Sequence, residues 1–198
     1  MKFAQPGESI ETDGMAPRER ILAVAGALFY RHGIRAVGVE AIAEAARTNK
    51  MTLYRHFDSK DELVAEYLRQ CAKAADSCWD RYAQTHPGDA PAQLRAWVEE
   101  MSGHVASNDG RGCALVNAAV ELPEKSHPAR RVIEEYKSQQ RARLVALCAA
   151  AGLSEPELLA DELNLLLEGA RVTAQSIGAD GLGARLQRMS EAVIASHQ

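Results

Sequence analysis

The sequence predicts an all-α chain of about nine helices, and three observations carry that expectation. Apolar residues recur at spacings of three and four along almost the whole length. Prolines, capping residues and several glycines stand at the ends of those stripes. Nothing alternates with period two for long, and no hairpin signal appears. With 198 residues, 46% hydrophobic and 25% charged, the chain can bury a real core of ordinary composition.

The elements follow in order. Residues 1–15 show no periodicity and read as a disordered arm. Pro17 suits the first turn of a helix, and Ile21, Val24, Ala25, Leu28 and Phe29 then share one face. Gly33 is the expected left-handed stop. Val39, Ile42, Ala43 and Ala46 mark a second helix of about two turns. After Arg47-Thr48-Asn49 a third short helix runs from Lys50 to Phe57, with Leu53 and Phe57 inward. Ser59 and Glu62 form a capping box. It precedes the stripe Leu63, Tyr67, Cys71, Cys78, Tyr82, which ends at His86-Pro87-Gly88. No flexible linker separates the N-terminal helices from the body; this long helix is the link, so whatever moves it moves both ends.

The body is helical throughout. Leu94, Trp97, Val98, Met101 and Val105 define a fifth helix, closed by Asn108-Asp109-Gly110. A short apolar helix spans Cys113 to Leu122. Pro128 opens a longer one that Gly152 ends. Ser154 and Glu157 form a second capping box ahead of Leu158 to Ile177, and a last helix holds Leu182, Leu186, Met189, Val193 and Ile194. No apolar run is long enough for a membrane span, and the polar start MKFAQPGESIETDGMAP is no signal peptide. A cytoplasmic location is expected.

Charge is unevenly placed. The whole chain carries −4, but residues 16–60 hold eight basic and four acidic residues, leaving −8 for the rest. A basic N-terminal quarter on an acidic body points to one localised polyanion site. The second and third helices, joined by a tight turn, outline a helix-turn-helix in which the third must present a polar face to the major groove. Lys50, Thr52, Tyr54, Arg55 and His56 supply donors, a methyl and an aromatic edge there. Lys60 sits in the first turn of the next helix, whose unpaired amides suit a phosphate.

At these residues the chain resembles the TetR family. The stretches Ile42-Ala43-Glu44-Ala45-Ala46, Lys50-Met51-Thr52-Leu53-Tyr54-Arg55-His56-Phe57 and Asp58-Ser59-Lys60-Asp61-Glu62-Leu63 look like its recognition segment and the start of its fourth helix. The close match covers Arg18 to Leu63. The resemblance implies a helix-turn-helix DNA-binding domain over 16–62 (motif about 38–57) and a divergent ligand-binding and dimerisation domain over 63–198. It implies that Tyr54 and His56 touch the DNA backbone, that Lys50 and Thr52 approach bases or phosphates, and that Lys60 clamps a phosphate. Arg47, Asn49 and Arg55 complete the expected DNA-binding set. Two departures stand out. Members usually have glycine at the turn position of Arg47, implying a left-handed arginine or a different turn, and glycine or alanine near Met51. Gly38 stands where Ser or Thr usually caps the second helix, at a cost of only a few tenths of a kcal/mol.

In the body, Cys113, Asn117 and Glu121 repeat at i, i+4, i+8 on an otherwise apolar helix. Trp79, Tyr82, Trp97, Met101, His104 and Tyr136 lie on stripes expected to converge with them, and apolar walls with a few polar hooks describe an effector pocket. Asn117 and Glu121 would equally brace a neighbouring helix. Leu165, Gly169, Val172, Thr173, Ser176, Leu186 and Met189 offer small and apolar residues for a two-fold, four-helix dimer interface, and the same strips would also suit the chain's own core.

No enzyme motif is defensible among Cys113, His104 and Glu121, and the four cysteines (Cys71, Cys78, Cys113, Cys148) form no CxxC pair. The six histidines (His32, His56, His86, His104, His127, His197) lack i+3 or i+4 partners. Neither cofactor nor metal is expected. The sequence thus predicts a homodimeric regulator that binds a palindromic double-stranded operator and answers to a small effector. Repression is preferred because the family is mostly repressors; an activator, or a ligand-storage bundle that binds no operator, is the alternative.

Overall fold

A computed structural model describes residues 14–107 and 111–198. Most of the expected N-terminal arm and the turn Asn108-Asp109-Gly110 lie outside the described residues. Those described form nine α-helices and no strand: α1 Pro17–His32, α2 Val39–Ala45, α3 Lys50–His56, α4 Lys60–Thr85, α5 Ala90–Ala106, α6 Ala114–Glu121, α7 Pro128–Ala150, α8 Pro156–Ile177 and α9 Leu182–Ser196. None of these helices is long and apolar enough to cross a membrane.

Local chemistry explains most of the boundaries. Pro17 starts α1, and Gly33, at φ 88°, closes it by donating its N–H to the Phe29 carbonyl. Asn49 caps α3 by accepting from the Thr52 N–H at 2.9 Å, and Asp89 caps α5 by accepting from Ala92 at 2.9 Å. Ser59 Oγ accepts from the Glu62 N–H at 3.0 Å. The carboxylate of Glu62 turns away to Arg69 instead of closing the box. The second expected capping box does not form. Glu155, not Ser154, holds the N-cap position of α8, at φ 47° and without a side-chain cap. Ser154 instead donates both its N–H and its hydroxyl to the His197 carbonyl, each at 2.8 Å. A tertiary partner has outcompeted the local one.

The chain divides into two compact units. Among the described residues, the first takes 14–75 and 111–135, and the second takes 76–107 and 136–198. The division departs from a simple split at 62/63, because α6 and the first turns of α7 belong with α1–α3. Ile21, Leu22, Ile42, Leu53, Leu63 and Leu68, all but inaccessible, form the interior of the first unit. In the second, α5, α8 and α9 pack around Leu94, Trp97, Leu144, Cys148, Leu159, Leu163 and Leu186. Helices α5 and α9 meet at Gly183, where an added Cβ would lie 2.6 Å from the Ser102 carbonyl oxygen and 2.7 Å from Ala106 Cβ.

His197 ties the end of α9 to α8. Its Nδ1 lies 2.8 Å from the Ser154 carbonyl and its Nε2 3.0 Å from the Glu162 carboxylate. Both partners are acceptors, so both contacts are satisfied together only when both ring nitrogens carry protons, an arrangement that favours the imidazolium. The Ser154 carbonyl, then Glu162, raise its pKa above the usual 6.5. A raised folded pKa gives stability that is fully present below the unfolded value and lost as pH rises through the folded one. Wild-type melting temperature should therefore fall across that window more than that of His197→Asn. Parallel melting-temperature profiles in the two proteins would show that the ring's charge contributes nothing.

Candidate nucleic-acid interface

The first three helices are locked together by side chains of α1. Arg20 Nε donates to the Ala46 carbonyl at the end of α2, at 2.8 Å. The Arg18 guanidinium lies 5.0 Å from the centre of the Phe57 ring. Between α2 and α3 the chain turns through Arg47 at φ 49°, the left-handed conformation that the sequence offered as one of two outcomes. A non-glycine residue holds that conformation at a cost of roughly 1–2 kcal/mol. The surrounding hydrogen bonds Arg47 N–H to Glu44 and Thr48 N–H to Ala43 impose it.

Helix α3 is two turns long and two-faced. Leu53 and Phe57 are buried. Lys50, Tyr54, Arg55, His56 and Met51 are exposed, Met51 by 77% and Tyr54 by 42%, while Thr52 is half-buried. Arg47 is exposed as well. Asn49 is exposed too, but its Oδ1 is committed to capping the helix, so only its amide N–H groups remain for DNA. Met51, given no contact role from sequence alone, presents its thioether on the exposed face of α3.

Two lysines already have partners. Lys50 Nζ stands 2.7 Å from Glu40, and this hydrogen bond raises the lysine pKa and lowers that of the glutamate. The pair is exposed, and such pairs are weak enough to be exchanged for a phosphate. Lys60, at the start of α4, donates to the Ile34 carbonyl at 2.7 Å and lies 6.0 Å from the centre of the Phe29 ring. Partial burial lowers its pKa.

The residues expected to converge on an effector fall into both units. Trp79, Tyr82, Trp97, Met101, His104 and Tyr136 belong to the second, and Cys113, Asn117 and Glu121 to the first. Asn117 and Glu121 border a gap of only about 10 Å³ beside Tyr30 and Tyr67, room for one water at most. Their polar groups are spent locally, Asn117 on the Arg111 carbonyl and Glu121 on the backbone of the α1–α2 connection. Glu121 thus braces that connection, not the neighbouring helix weighed as its other role. Cys113 is the N-cap residue of α6. His104 is exposed, because Val105 takes the inward position beside it. Tyr82 and Trp97 are buried core residues of the second unit.

That unit also holds a polar cluster which sequence reasoning missed. The half-buried Glu100 carboxylate accepts from Tyr82 at 2.9 Å, from the Cys78 thiol at 3.2 Å and from Arg81. Burial works against ionisation of Glu100, but these three donors hold its pKa below the ordinary value. Trp79 Nε1 donates to Gln140 at 2.5 Å. The spacing of Tyr82 and Cys78 on one stripe was a signal for such a cluster, but their acidic partner lies on another helix.

On α8, Leu165, Gly169, Val172 and Ser176 are all exposed and Thr173 is half-exposed; on α9, Met189 is exposed. Leu186 does not belong with them. It is buried in its own unit's core, since it points inward from the same helix that points Met189 out.

A family described as "Bacterial regulatory proteins, tetR family" matches residues 21–67. Among solved structures, the chain is similar to SCO4454, a TetR-family transcriptional regulator from Streptomyces coelicolor. There the identity is 28%, the TM-score 0.85, and 91% of this chain and 95% of that one are covered. It is also similar to the tetR-type regulator sav143 of Streptomyces avermitilis, at 31% identity and TM-score 0.78, over 92% and 98% of the two chains. A curated relative, the HTH-type transcriptional repressor SCO4008 of Streptomyces coelicolor, is 28% identical over 138 residues, covering 65% of this chain and 68% of its own length.

Proposed function

Since the chain belongs to the TetR family and is a DNA-binding transcriptional regulator, we propose that it acts in the cytoplasm as a dimeric repressor of a palindromic operator, released by a small effector. The repressor reading draws on what the name of its relative SCO4008 says of that protein.

The observation that carries the proposal is the two-faced α3. Its inner side is anchored by Leu53 and Phe57, and its outer side offers Lys50, Met51, Tyr54, Arg55 and His56 to a groove. Arg55 and Thr52 are suited to base edges, Tyr54 and His56 to phosphates, and Lys60 to a phosphate beside the start of α4. The effector reading keeps Trp79, Tyr82, Trp97, Met101 and Tyr136. These share the second unit with the Glu100 cluster, where aromatic surface and a carboxylate lie close in sequence and space.

The test starts from a pool of random duplexes enriched on the wild-type protein. A palindrome with two half-sites about 34 Å apart should emerge, bound with a Kd on the order of 10⁻⁸–10⁻¹¹ M. The logarithm of affinity should fall steeply with that of salt concentration. Thr52→Val should then shift which sequences are enriched. A flat salt response with no enriched sequence would sink the proposal.

A further inference from the structure

Ile34, in the connection between α1 and α2, is gripped from both sides. Its N–H donates to Glu121 Oε2 at 2.7 Å, and the next N–H, that of Arg35, donates to the same oxygen at 3.2 Å. Its carbonyl accepts from Lys60 Nζ at 2.7 Å. One residue of the connection therefore joins a carboxylate from α6 to an ammonium from α4. The neighbouring Gly33 leaves the room: a Cβ there would lie 3.0 Å and 3.1 Å from the two Glu121 oxygens. Tyr30 adds a second tie between α1 and the approach to α6, donating to the Gly112 carbonyl at 3.0 Å.

The chemistry is favourable on each side. Backbone N–H groups in a connection need acceptors, and a carboxylate receiving two of them makes charge-assisted bonds of about twice the neutral strength. Lys60 is half-buried, so its charge needs a counterpart. Glu121 supplies one across the shared residue, and Asp61 supplies another from α4 itself. Arg35, Asp61, Glu124 and His127 line the same open cavity of about 430 Å³ as Lys60. There Arg35 is paired with Glu124 and His127 with Asp61. Glu121 is thus the acid whose oxygen sits on the very residue that Lys60 holds.

We propose that Glu121, outside the helix-turn-helix, is a positioning residue for DNA binding: through Ile34 it fixes the place of Lys60. On meeting duplex DNA, Lys60 has three N–H donors and can turn one to a phosphate while the connection stays anchored by Glu121. Without the carboxylate, the connection and the ammonium lose their common reference. The inference rests on Lys60 being a phosphate contact, and the test separates the two.

The probe is the duplex enriched on wild-type protein, titrated over a salt series with the full chain. Lys60→Ala should weaken binding about tenfold and lower the salt slope by about one. Glu121→Ala should lose most of the same factor, about fivefold, yet less than about twofold more in the Lys60→Ala background, because both act at one contact. Glu121→Gln keeps an acceptor for the Ile34 N–H but no charge, so it should fall between. Its binding should also fail at a slightly lower pH on the alkaline side, as Lys60 keeps Asp61 but loses the second of its counter-charges. A Glu121→Ala loss that multiplies in full with that of Lys60→Ala, or no loss at all, overturns the proposal. An unchanged affinity and slope in Lys60→Ala instead overturns the phosphate reading beneath it. Circular dichroism and melting temperature establish folding; if Glu121→Ala is unfolded, the same cycle run with Glu121→Gln decides.

Discussion

Placing glutamates at Leu165 and Val172 together should leave the chain folded, convert the proposed dimer to a 21.5 kDa monomer, and cut operator affinity at least a hundredfold. The two side chains are 71% and 59% exposed, so neither holds its own unit together. With Gly169 and Ser176 they fall at i, i+4, i+7, i+11, a single stripe along α8. Nothing lies within 4 Å of where a Gly169 Cβ would be, so a second helix can approach closely there. Burying a valine or leucine is worth about 1.5–3 kcal/mol, and a two-fold interface counts each residue twice. Carboxylates at those places would face each other across the axis. Linking two half-sites raises affinity by about 10²–10⁴ through effective concentration alone, and that factor is what the monomer forfeits. Sedimentation and duplex titration check both parts. A double variant that still sediments as a dimer would move the interface elsewhere.

The second large effect is expected at Gly183. Valine there should destabilise the chain by about 3 kcal/mol, at the upper end for overpacking, read as a lowered denaturant midpoint with unchanged slope. The obstacle is the Ser102 backbone carbonyl, 2.6 Å from a Cβ, and a carbonyl inside a helix cannot swing aside as a side chain can. Helices α5 and α9 would have to part, opening contacts around Leu94, Trp97 and Leu186. Gly103→Ala, inside α5, is the matched control. It meets open space, and alanine favours a helix by about 1 kcal/mol over glycine. An unchanged midpoint in Gly183→Val would mean that α5 and α9 separate without cost.

The fold was largely legible in the sequence because helix signals are local. The 3–4 spacing of Ile21, Val24, Ala25 and Phe29 and the glycine at position 33 are read within a few turns; the structure buries those four and ends α1 at Gly33, with φ positive but ψ at 155° rather than in the left-handed helical region. The left-handed turn at Arg47 came from the family resemblance, which implies glycine at that position, and not from any local pattern in the chain. What failed was decided by partners far along the chain. Ser154 looks like a cap until His197, 43 positions later, takes its hydroxyl. Leu186 and Met189 share an apolar strip, and only the position of α5 decides which of them is inside. Glu121 sits 87 positions from Ile34; its spacing from Cys113 and Asn117 suggested a pocket, whereas the acceptor was needed by two amides no pattern could point to.

The first unit is interrupted in sequence: its α6 is separated from its other helices by residues 76–107. This matters for anyone recombining such regulators. A hybrid that joins residues 14–63 to a foreign body brings along Gly33 and Lys60 but leaves behind the acid that receives the Ile34 and Arg35 amides. Such a graft would carry every residue of the reading head and still aim it poorly. Transplanting residues 111–135 alongside 14–75 keeps the unit whole, so the useful seams for shuffling are three crossovers, near 75/76, 110/111 and 135/136, rather than one.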